Sequence, residues 1–142
     1  MKKTWRLWVL ILLFFLGISA LFGSYYLITD PTGESLQMPP SLLDSMPFEN
    51  YLIPGTLLLI VNGIPALLIA FLTLFKVKYY AYLRVIQGII LIIWLTSELI
   101  ININLFYPLT HITYYLIGSA LIFLGLKLRK SVENSNNIEL FK

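Results

Sequence analysis

From Leu7 to Ile28 the chain reads LWVLILLFFLGISALFGSYYLI, without one charged residue. The hydrocarbon core of a bilayer is about 30 Å thick, and an α-helix needs roughly 20 apolar residues to cross it. This stretch is therefore a span by length alone. The same reasoning gives three more, and the four are expected at about 5–28, 51–75, 80–103 and 106–126. Inside lipid every backbone polar group must be satisfied internally, which leaves helices for runs of this length. The expected fold class is all-α: an integral membrane four-helix antiparallel bundle, one domain over 1–130, with a polar tail, SVENSNNIELFK, over 131–142. The tail lacks the apolar residues needed to order it and reads as disordered. A basic start before an apolar run also describes a signal peptide, and Ile18-Ser19-Ala20 is a passable cleavage site. The run is well beyond the roughly 7–15 residues of a signal h-region. It ends on Tyr25-Tyr26, which suit an interfacial belt, so it reads as a retained span.

Charge sets the orientation. The ten Lys and Arg residues fall at the amino terminus, at Lys76, Lys78 and Arg84, and from Lys127 onward. The loop over 29–50 carries Asp30, Glu34, Asp44 and Glu49 and no basic residue. Cytoplasmic loops carry the basic excess. Both termini are therefore expected in the cytoplasm of a cell-membrane protein, with a long acidic first outer loop. The excess of positive charge needs no nucleic acid; topology and anionic headgroups account for it. Tyr79, Tyr80 and Tyr82 read as interfacial anchors of the second turn.

Only 12% of the residues are charged and 58% are hydrophobic, whereas soluble domains run near a quarter charged. The absence of cysteine excludes disulfides, thiolate metal sites and palmitoylation. One histidine excludes a bis-His haem within one chain. No phosphate-cradling glycine motif, HExxH or G-x-S-x-G is present. No catalytic residue, cofactor or metal is expected, and the chain does not read as an enzyme.

At about 100° per residue each span shows one face of small or polar residues. These are Gly17, Ala20 and Ser24 in the first, with Ser19 and Gly23 close by, and Gly55, Asn62, Ala66 and Thr73 in the second. Arg84, Gln87, Leu91, Trp94, Glu98 and Asn102 make the stripe of the third, and His111, Tyr115, Gly118 and Gly125 that of the fourth. Apolar surface gives no drive for association in lipid, so such faces mark where helices pack.

Glu98 is the sharpest candidate. An ionisable group within a span costs roughly 2.5–3.5 kcal/mol at the centre and needs water or a partner. The turn between the third and fourth spans centres near Asn104–Leu105, and symmetry about it places Glu98 level with His111. Two readings stay open for this polar pair: a proton-titrating site, or a hydrogen-bonded clamp between helices. Asn62 with Pro65 is a second candidate. Pro65 has no N–H for the Val61 carbonyl four residues back, and a helix break beside an asparagine can bind a cation or polar substrate. It can equally be satisfied within the bundle. In the outer loop, Asp30-Pro31-Thr32-Gly33 reads as a turn. Pro54 sits in the first turn of the second span, where its missing N–H costs little. Ser41 to Asp44 reads as a capped short helix, with Leu42, Leu43, Met46 and Phe48 resting on the headgroup boundary. The whole loop reads as a lid over the outer mouth. Its carboxylates match no calcium-loop spacing.

The DPTG of 30–33, the PF of 47–48 and the YLIPG of 51–55 resemble a group of small four-span bacterial membrane proteins. Their first outer loop carries a D-P-S/T-G turn and an F-x-x-[YF]-L-I-P-G entry to the second helix. Trp94, midway along the third span, also fits. The resemblance covers about 26 residues with any specificity and implies the topology; it implies no activity. The expected function is a non-enzymatic accessory or interaction protein of the membrane, with lipid and a second copy or another membrane protein as partners. The alternative is a small oligomeric transporter or proton-linked channel component using Glu98, His111 and Asn62.

Overall fold

The computed structural model describes residues 2–75 and 82–140, and every regular element among them is helical. Helix α1 covers Lys2–Thr29. The second span is built of α2 (Leu52–Leu58), one π-helical turn (Leu59–Gly63) and α3 (Ile64–Leu74). Helices α4 (Leu83–Ile101) and α5 (Pro108–Leu140) complete the bundle. Four segments, Lys3–Thr29, Leu52–Leu74, Leu83–Ile101 and Pro108–Lys127, are long and apolar enough to cross a membrane. That is the composition of a multi-pass membrane protein. The turn expected around Lys76, Lys78, Tyr79 and Tyr80 lies outside the described residues.

Helix α5 does not stop at the end of its apolar segment. Its backbone stays helical to Leu140, where the sequence predicts a disordered tail from 131. No Pro or Gly follows Gly125, so nothing in the backbone chemistry ends the helix once it is under way.

The core joins Val9, Leu13 and Leu16 of α1 to Ala66, Ile69 and Ala70 of α3, Leu91 and Leu95 of α4, and Ile117, Leu121 and Leu124 of α5. The predicted inward stripes lie here: Gly17, Ala20, Ser24, Gly55, Asn62, Ala66, Thr73, Gln87 and Gly118 are all buried. Helices α4 and α5 approach each other closely. A Cβ on Gly88 would stand 2.7 Å from the Gly118 carbonyl oxygen, so the two backbones touch where larger residues would hold them apart. Polar side chains tie other helices together. The Tyr114 hydroxyl donates to Ser19 Oγ across α5 and α1 at 2.6 Å, and Arg84 Nε donates to Thr73 Oγ1 across α4 and α3 at 2.8 Å.

The connection between α1 and α2 folds back onto the bundle. Gly33 takes φ 80, open to glycine and strained for other residues, and a Cβ there would lie 2.6 Å from the Tyr51 ring. Tyr51 N–H donates to the Pro31 carbonyl at 2.9 Å, and its hydroxyl donates to the Pro39 carbonyl at 2.8 Å. Gly55, one turn further, brings α2 against α1: a Cβ there would meet Leu27 Cβ at 2.6 Å. The DPTG and YLIPG segments thus form one unit. Residues Pro40–Leu43 form a 3₁₀ turn with no side-chain cap, in place of the Ser41–Asp44 capped helix expected from sequence. Leu42 is also not at a headgroup boundary. It is buried with Leu27, Tyr51 and Leu105, while Leu43 and Met46 pack around them. Asn102 at the end of α4 also holds the turn there: its Nδ2 donates to the Leu42 carbonyl at 3.3 Å.

Candidate functional site

A cavity of about 900 Å³ lies between the halves of α1, α2, α4 and α5 nearest this connection, under Leu36, Gln37 and Met38. Its walls are mainly apolar: Phe15, Ile18, Phe22, Leu27, Leu58 and Leu105, with Tyr107 and Tyr114. Ile18 and Phe22 keep 59% and 60% of their surface exposed, so the α1 wall opens sideways. Glu98 and His111 form its polar edge.

Each member of the pair is placed by local structure. Asn102 leaves the helix in an extended conformation, and its side-chain oxygen accepts the Asn104 N–H at 3.0 Å. One 3₁₀ turn, Ile103–Leu105, follows, and Pro108 opens α5 at the position where its missing N–H costs nothing. This short connection sets α4 and α5 in register. His111 Nε2 then lies 3.5 Å from Glu98 Oε2, with the His111 side chain 4% exposed and that of Glu98 32% exposed. The Tyr107 backbone N–H donates to His111 Nδ1 at 3.3 Å. A ring accepting at Nδ1 carries its proton on Nε2 when neutral, and so presents an N–H to the carboxylate. At 3.5 Å the contact is longer than a hydrogen bond, and Nε2 makes none elsewhere. The pair meets at electrostatic contact at the cavity's edge, with Glu98 the more exposed of the two. The Phe106 ring, 5.4 Å from the imidazole centroid, closes the other side.

Asn62 and Pro65 lie deeper, away from the cavity lining. Pro65 leaves the Val61 carbonyl without its α-helical donor, and the helix widens just before it: Ile64 N–H reaches the Leu59 carbonyl, closing the π turn. Gln87 of α4 supplies the missing donor. Its Nε2 donates to Val61 O at 3.3 Å and to Asn62 Oδ1 at 3.2 Å. Asn62 and Gln87 are fully buried. The freed carbonyl is therefore answered by a neighbouring helix, and the site acts as a joint between the second span and α4.

In the connection, Asp30 is occupied by its own turn. Its carboxylate accepts the Thr32 hydroxyl at 2.6 Å, the Ser35 hydroxyl at 2.7 Å and the Ser35 N–H at 3.0 Å. The Ser35 hydroxyl, and then the Thr32 hydroxyl, hold its pKa at about 2 against an ordinary 3.8. Pro31, Gly33, Pro54 and Gly55 shape the same unit through the backbone contacts already described. Among these candidates, then, only Glu98 and His111 face the cavity.

Sequence reasoning does not single out several other lining residues, Gln37, Met38, Tyr107 and Thr110 among them. Thr110, His111 and Tyr114 share a helix face, a spacing that could have shown the α5 wall. Gln37 and Met38 sit in a loop without periodicity and give no such sign. No known protein family, curated protein or solved structure matches the chain.

Proposed function

We propose that the protein is a non-enzymatic accessory protein of the cytoplasmic membrane that takes an amphiphile into the cavity beside Glu98 and His111. In this reading it is an antiparallel four-span bundle with both termini in the cytoplasm, the 29–50 loop outside, and the cavity opening into the outer leaflet. The distribution of Lys and Arg supports that orientation. One observation carries the functional part: a cavity lined by all four spans, with mainly apolar walls, holds its ionisable groups at one edge, Glu98 and His111. Its size falls within the roughly 300–1,000 Å³ of ligand pockets, and its sideways opening faces acyl chains. A non-enzymatic role is supported by the state of Ser19, one hydroxyl of the lining. Ser19 Oγ donates to the Leu16 carbonyl and accepts from Tyr114, and neither partner is a base.

Photolabelling tests the reading. A diazirine-bearing fatty alcohol should label the 107–114 segment of the full chain in lipid nanodiscs. Filling the cavity by Ile18→Trp with Thr110→Trp should cut that labelling several-fold. Labelling that is unchanged by the fillers, and spread evenly over the outward faces, would rule out a bound amphiphile.

The contact between Glu98 and His111 also favours a second reading, an oligomeric transporter or proton-linked channel component. Flux through proteoliposomes that is lost in Glu98→Gln and His111→Ala would support it, and flux unchanged in both would end it. Asn62 enters this reading through its buried Nδ2, which has no hydrogen-bond partner among the described residues, while its Oδ1 accepts from Gln87.

A further inference from the structure

We infer that the cavity selects an amphiphilic organic cation, one whose positive charge is quaternary or delocalised, by setting it against the Glu98 carboxylate among aromatic faces. This deepens the amphiphile reading and rests on it. Three independent features converge on the charge. Glu98 lines the cavity with about a third of its side chain exposed. No Lys or Arg occurs from Leu7 to Phe75 or from Val85 to Leu126, so no fixed cation competes for that carboxylate from the spans lining the cavity. Phe15, Phe22, Tyr107 and Tyr114 line the same space, and aromatic faces attract a desolvated cation through their negative quadrupole.

The hydrogen-bonding inventory narrows the class further. His111 offers a donor, directed at Glu98 rather than at the cavity. The Tyr114 hydroxyl is committed to Ser19, and Ser19 to the Leu16 carbonyl. Gln37, Thr110 and Tyr107 also line the space, and a primary ammonium would need three acceptors to converge on it. A quaternary or delocalised cation needs none and sheds its water more readily, so it loses least on entering apolar walls. An anionic amphiphile of the same shape would meet like charge with no basic side chain to offset it. A neutral one would fill the walls and gain at most a hydrogen bond to Glu98, without the charge attraction. The acidic connection at the same end, with Asp30, Glu34, Asp44 and Glu49, raises the local concentration of cations and lowers that of anions.

The test uses tetraphenylphosphonium and its isosteric anion tetraphenylborate, with the full chain in lipid nanodiscs and empty discs subtracted. The wild-type chain should bind tetraphenylphosphonium saturably. Glu98→Gln should weaken that binding about tenfold or more, and Glu98→Asp should weaken it far less. The neutral diazirine alcohol, applied to the wild-type chain, reports whether the cavity takes an amphiphile at all. In the wild-type chain, tetraphenylphosphonium should also slow modification of Glu98 by dicyclohexylcarbodiimide, whereas tetraphenylborate should not. That comparison needs no variant to fold. If Glu98→Gln binds the cation as tightly as wild type, or if the two ions protect Glu98 equally, the cation assignment is overturned while the cavity reading stands. If the alcohol also fails to label the cavity, both are overturned.

Discussion

Three donors converge on the Asp30 carboxylate, two of them from Ser35, and all three favour its ionised form. Its folded pKa of about 2 lies below the ordinary 3.8. The contribution of Asp30 to the fold of the connection is therefore complete above about pH 3.8 and is lost as pH falls through about 2. We expect the carboxyl carbon of Asp30, followed by NMR, to titrate below pH 3, and protease sensitivity of the 30–51 connection to rise over the same range. Gly33 makes a second test at this scale. Gly33→Ala combines positive φ with a Cβ against the Tyr51 ring and should destabilise the folded protein by roughly 1–3 kcal/mol, read as a lower midpoint in thermal unfolding. Some single residues are legible in the sequence alone. Glu98 and His111 can be placed level because a short hairpin fixes depth by counting outward from its centre. Leu42 cannot, because a loop has no period and its partner, Asn102, lies sixty positions away.

Helices are legible as elements because apolar length dictates them, and their inward stripes follow from a 3.6-residue repeat. The π turn is not. It adds one residue to a turn without changing composition, and a stripe read at constant pitch passes over it. What can be read is its cause, the missing N–H of Pro65. The structure adds the answer from α4. Gln87→Leu should leave the Val61 carbonyl and Asn62 Oδ1 unpartnered in the bundle and destabilise it by roughly 1–3 kcal/mol. In a Pro65→Ala background the backbone can again supply the Val61 donor. The Gln87→Leu loss should then shrink by about 0.5 kcal/mol or more, measured as non-additive shifts in denaturant unfolding. Strict additivity would mean that Gln87 does not serve the proline break. The Gly88–Gly118 contact also escapes a reading of the sequence. Gly88 lies one position off the polar stripe that contains Gln87, and contact between two backbones leaves no mark in hydropathy.

For the whole molecule, the charge pattern makes a claim about orientation that the cysteine-free sequence makes simple to check. A single cysteine at Ser45 should react with a membrane-impermeant maleimide in intact cells, and one at Lys3 only after permeabilisation. Function is far less legible than fold. The cavity arises where four helices and a loop fail to fill the space between them, and no segment read alone contains it. Whether this space holds an amphiphile can be read by mass spectrometry of the intact protein, released from its own membrane with bound lipid preserved. The wild-type chain should retain a small amphiphile, and Ile18→Trp with Thr110→Trp should expel it while the protein stays folded. Equal retention by both chains, or none by the wild type, would contradict the amphiphile reading.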